Sequence, residues 1–198
     1  MALSKIQSGL ITDDAVNADV IADGSIDHSK MASGAKIGYI QSKHAGIDAN
    51  QNVTGDTDEQ PFSNSGGTEC VCDMGTSNSA SSTYIIKGDA QAHFDGSDQT
   101  AVESGGGGAL GIQRKIGTGS WTTVKDHGRW SQFTEQDTDL NFRFYIYHRD
   151  HPNTTEQVQY RLVYSTHRAG IDWRRTPSGS LGNNTNLYVE EYDTGESS

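Results

Sequence analysis

Two hydrophobic rhythms divide the chain. Over residues 1–35, apolar side chains recur at every fifth position, Ile6, Ile11, Val16, Ile21, Ile26 and Met31, with small and acidic residues between them. Past residue 83 the period shortens to two. Leu140, Phe142, Phe144 and Ile146 fall on one side of a strand, and Asn141, Arg143, Tyr145 and Tyr147 on the other. Val158, Tyr160, Leu162 and Tyr164 alternate with Gln159, Arg161, Val163 and Ser165, and Leu187 and Val189 with Tyr188 and Glu190. A period of two is the mark of a half-buried strand. Further strands are predicted over 83–94 and 109–116, the second joined through a glycine-bearing turn to 121–124 as a hairpin. About eight strands with Gly, Asn and Ser in the turns, and no run of helical period, predict an all-β, antiparallel β-sandwich of jelly-roll-like form.

A step of five matches neither a helix nor a strand. A pentapeptide β-helix would use it, but would place Asp14 and Asp19 inside a narrow coil. A lone chain with one residue of this series in every five buries too little surface to offset the entropy of ordering. Several identical chains around one axis overcome this by stacking each apolar residue against its copies. The expectation for residues 1–40 is therefore an extended trimeric stem, with Ile6, Ile11, Val16, Ile21, Ile26 and Met31 as its core.

The residues of this segment carry a resemblance. Leu3-Ser4-Lys5-Ile6, Gly9-Leu10-Ile11-Thr12-Asp13-Asp14-Ala15-Val16, Ala22-Asp23-Gly24-Ser25-Ile26 and Ser29-Lys30-Met31-Ala32 are similar to the N-terminal regions of tail-fibre and appendage proteins of tailed bacteriophages, especially marine phages. The resemblance covers about a fifth of the chain. It implies a homotrimer whose N-terminal segment anchors to other virion proteins of the tail or capsid, whose head takes part in host attachment, and whose location is the virion. A stem shorter than is common in that family implies a short appendage. A sandwich behind such a stem also resembles, in pattern only, the trimeric jelly-roll heads of phage fibres. A capsid decoration or head fibre, and a carbohydrate-binding or depolymerising receptor protein, are the alternatives.

Composition supports the same division. Of 16 aromatic residues, all but Tyr39 follow residue 60, so the packed body is expected in the second part of the chain. Residues 41–68 are polar and irregular and predict a linker, with a strand around 70–74 opening a sandwich over 69–198. The formal net charge is −11, spread over both parts, which disfavours phosphate-tracking contact with nucleic acid. No run is long and apolar enough for membrane insertion, and the start lacks the apolar core of a signal peptide.

Candidate chemistry is sparse. Cys70 and Cys72 have no distant partner pair, so they form neither a disulfide framework nor a four-ligand zinc site. His148-Arg149-Asp150-His151 is the most ligand-like cluster, yet on a strand its two histidines face opposite ways, and no metal is assigned. Gly105–Gly108 lacks the Lys-Ser/Thr of a phosphate loop and reads as a strand connection. Carboxylates such as Glu190 and Glu191, or Asp137 and Asp139, have no spacing that marks a glycosidase pair. No catalytic residue and no cofactor are expected. Two surfaces remain. Arg143, Tyr145 and Tyr147 on the second face of their strand are a candidate protomer interface. Trp121, Trp130 and Trp173 are candidate contacts for a host surface glycan.

Overall fold

The computed structural model describes residues 38–47, 57–77, 79–94, 107–127, 130–131, 140–167, 171–173 and 185–193. They form eleven strands and no helix: β1 (Tyr39–Ile47), β2 (Thr57–Pro61), β3 (Val71–Thr76), β4 (Ser82–Phe94), β5 (Gly107–Ile116), β6 (Thr122–Asp126), β7 (Trp130–Ser131), β8 (Leu140–Asp150), β9 (Gln157–His167), β10 (Ile171–Trp173) and β11 (Thr185–Asp193). Every pairing is antiparallel. The first sheet runs β1–β11–β4–β8, with β10 continuing along β4 beyond the end of β11. In the second sheet β2 and β3 share one edge of β9, β5 takes the other, and β6 and β7 lie on the far edge of β5.

Alternation decides what lies between the sheets. Tyr84, Ile86, Ala90 and Ala92 of β4, Ile146 of β8, and Leu187 and Val189 of β11 turn inward from the first sheet. Leu110 and Ile112 of β5, Val158, Tyr160 and Leu162 of β9, and Cys72 and Met74 of β3 meet them from the second. Each large aliphatic side chain buried this way contributes about 1.5–3 kcal/mol. The sheets also touch through polar atoms: the Cys72 thiol donates to the Leu187 carbonyl at 3.4 Å. On β4 the inward position between Ile86 and Ala90 is Gly88. A Cβ there would lie 2.6 Å from Leu162 Cδ2 and 3.0 Å from Ile146 Cγ2, so the opposite sheet and the neighbouring strand fill the space a side chain would need.

The expected antiparallel all-β body is present, and the alternation in β8 holds from Phe142 to Tyr147. Its boundaries differ from the sequence reading. β1 and β2 fall in the stretch expected to be stem end and linker, so the sheets draw on residues from Tyr39 onward. The reason is visible in β1, an edge strand whose core face holds Gln41, Ala45 and Ile47; it is held by eight paired positions along β11 and reads as polar. Gly107 and Gly108, expected in a loose connection, open β5 and pair with both β7 and β9. The six apolar positions expected to form a stem core lie outside the described residues.

Candidate functional site

The outer face of the first sheet carries the most distinctive surface. Phe144 and Ile146 turn to the core, which forces Tyr145 and Tyr147 outward, and Leu187 and Val189 do the same for Tyr188. These three tyrosines are 66%, 59% and 44% exposed. Strand register then sets their neighbours. His44 lies opposite Tyr188, Tyr188 opposite Lys87, and Lys87 opposite Tyr147, making one row across four strands. The next row holds Asn186, Asp89 and Tyr145.

Short-range contacts hold both rows. The His44 ring stacks on Tyr188 with centroids 4.3 Å apart and planes 16° from parallel, and His44 Nε2 lies 3.3 Å from Asn186 Oδ1. Asn186 Nδ2 donates to Asp89 Oδ1 at 3.1 Å, and Arg143 forms an ion pair with the same carboxylate. Lys87 Nζ lies 3.1 Å from Glu190 Oε2, which also accepts from the Tyr192 hydroxyl. Between the tyrosines of β8 and that of β11 runs an open groove of about 390 Å³ along Lys87, Gly88 and Asp89. Neighbouring strands lie about 4.8 Å apart, so strands two apart put its aromatic walls on the order of 10 Å from each other.

A second polar group is sealed inside the sandwich. Glu191 is fully buried, and accepts from Gln41 Nε2 at 2.6 Å, Ser82 Oγ at 2.8 Å and the Tyr84 hydroxyl at 3.2 Å. Across from it, both Asp150 oxygens accept from Arg114 Nη1 at 2.8 and 2.9 Å, and Oδ2 also accepts from the Tyr160 hydroxyl at 2.8 Å. The two tyrosine rings meet at 5.5 Å. Burial, reinforced by the adjacent carboxylates, pushes both phenols well above the usual tyrosine range, so they remain protonated donors. This is structural chemistry: every polar atom named is spent on a partner within the core.

The other sequence candidates separate cleanly. Glu190 points out to Lys87 while Glu191 points in, so the two carboxylates cannot flank one substrate. In the histidine cluster Asp150 is committed to Arg114, and His151 Nδ1 lies 3.0 Å from Thr83 Oγ1. Among the described residues no group of three His, Cys, Asp or Glu side chains is placed to hold a metal ion. A smaller pocket of about 210 Å³ on the second sheet is rimmed by Asp58, Glu59 and Asp126. Glu59 Oε2 accepts there from Gln113 and Thr123.

Trp121 has a partner in its own chain: the Arg161 guanidinium lies 4.3 Å from its ring centre and is fixed by Glu69 and Gln113. That stack occupies one face of the indole. Trp130 and Trp173 lie in β7 and β10, but their side chains are outside the described residues. Arg143, Tyr145 and Tyr147 do come together, with Tyr188, Lys87 and Asp89, which the sequence reading did not join to them. The signal for Tyr188 was its outward place in β11; the order β11–β4–β8 that brings it opposite Tyr147 was not legible.

No protein-family profile matches the chain, and no curated protein matches it in sequence. Among solved structures the chain is similar to one from infectious bursal disease virus, Gx strain, at 14% identity and a TM-score of 0.26. The alignment covers 79% of this chain and 38% of that one, so the chain spans well under half of that neighbour's length.

Proposed function

We propose that this chain is a structural virion protein of a tailed bacteriophage: a homotrimeric tail fibre or short tail appendage that takes part in host attachment. The observation that carries the reading is the unbroken five-residue step of Ile6, Ile11, Val16, Ile21, Ile26 and Met31. One position of this series in every five residues cannot order a single chain, but three chains around an axis turn each position into a layer of three. In this reading the residues ahead of Tyr39 form the stem and dock to other virion proteins, and the β-sandwich that begins at β1 is the distal head. Trimerisation multiplies weak contacts at the head, since later contacts become intramolecular. No catalytic step and no cofactor are assigned. A capsid decoration or head fibre needs the same kind of stem and differs only in where it docks.

The test is the native mass of the full chain by light scattering. Three times 21.4 kDa is expected for the wild type. The double substitution Val16→Asp and Ile21→Asp places charges in two adjacent layers and is expected to reduce that mass to a monomer's. A trimer unaltered by both changes would sink the stalk.

A further inference from the structure

The groove between Tyr188 and the pair Tyr145 and Tyr147 combines ring faces with polar groups, a chemistry that narrows what it would bind. Three rings are held outward on rigid strands, so their faces are presented without loop ordering. Tyr188 is already braced from behind by the stacked His44 ring. The charges along the groove are closed within the chain, Lys87 on Glu190 and Arg143 on Asp89, leaving no net charge to attract an ion. What remains is a set of fixed acceptors and donors beside apolar ring faces. The volume of about 390 Å³ lies in the range of small-ligand sites. A flat interface between two copies of the chain would not require such a concavity.

We infer that this groove binds a neutral saccharide, whose ring faces stack on Tyr147 and Tyr188 and whose hydroxyls meet the Asp89–Arg143 and Lys87–Glu190 pairs. A pyranose suits both halves of the site, because it has C–H faces for the aromatic rings and a rim of hydroxyls for the polar groups. An acidic saccharide would meet cations whose charge is already offset by Glu190 and Asp89. This rests on the attachment reading for its purpose and not for its chemistry. It places a glycan contact on the tyrosine face of the first sheet, which the sequence reading assigned to a protomer interface.

The experiment uses the full chain. An array of neutral hexose and N-acetylhexosamine oligosaccharides, printed beside sialylated and sulfated ones, identifies the ligand, and calorimetric titration with the best neutral hit measures affinity. Tyr147→Ala and Tyr188→Ala are each expected to weaken binding at least tenfold, and Tyr188→Phe, which keeps the ring, by less than threefold. Tyr39→Ala, an exposed tyrosine outside the groove, is expected to change it less than twofold. Native mass is measured for each variant and is expected to stay constant. Binding to acidic glycans only, no binding at all, or undiminished binding by both alanine variants overturns the proposal. A fall in mass in the alanine variants also overturns it, because the groove is then a contact between copies. If Val16→Asp with Ile21→Asp leaves the mass unchanged while the groove variants lose the glycan, the stalk fails and the groove stands.

Discussion

Gly88 shows how closely the two sheets meet. Its missing side chain is replaced by Leu162 of β9 and Ile146 of β8, both buried. Gly88→Ala is expected to destabilise the fold by about 1–3 kcal/mol through overpacking, read as a lower denaturant midpoint with an unchanged slope. His148 supplies a second residue-scale consequence. Burial, and then the cations Lys125 and Arg114, depress its imidazole below 6.5, against the pull of Asp150. As pH falls from 6.5 toward that lower folded value, the unfolded chain takes up a proton that the folded chain resists, so stability falls across this window and is fully present above it. Denaturation midpoints measured between pH 7.5 and 5 are expected to drop, and to drop less in His148→Gln.

At the scale of elements, the strands were legible wherever one face was apolar over several alternations, as in β8, β9 and β11. β1 escaped because its inward face is short and holds Gln41, a polar residue made acceptable by Glu191 and the Met74 carbonyl. Nothing in the local pattern reveals a partner 150 positions away. β3 is the opposite case: the alternation of Cys70, Cys72 and Met74 places both thiols inward, where burial pushes each up to about 12. Thiolate is the reactive form, so native protein at pH 8 is expected to resist iodoacetamide, and both cysteines to label on unfolding. Labelling of the native state would mean that β3 leaves its sheet.

For the whole molecule, the sequence separated a layered N-terminal pattern from an aromatic-rich body, but not the order in which the body's strands pair. That order determines the tyrosine groove, since residues from β4, β8 and β11 meet only through non-local pairing. Contacts of this kind depend on which edges find each other, and alternation fixes the face of a residue without fixing its neighbour. The mass change expected of the double aspartate variant belongs to this scale as well. It tests whether copies of the chain associate through the residues of the five-residue step.

The amide of Gln41 donates to Glu191 in its own sheet and to the Met74 carbonyl in the other. It does so just after the irregularity between Tyr39 and Gln41, where the chain enters its long pairing with β11. Any tension reaching the body through the residues before Tyr39 therefore meets, almost at once, a cross-link anchored to both layers. Pulled along its own axis, β1 shares the load over its whole length; pulled sideways, it peels from the Tyr39 end and the force is concentrated on this one side chain. Gln41 thus ties the start of β1 to both layers, and its replacement is expected to let the strand fray from the Tyr39 end.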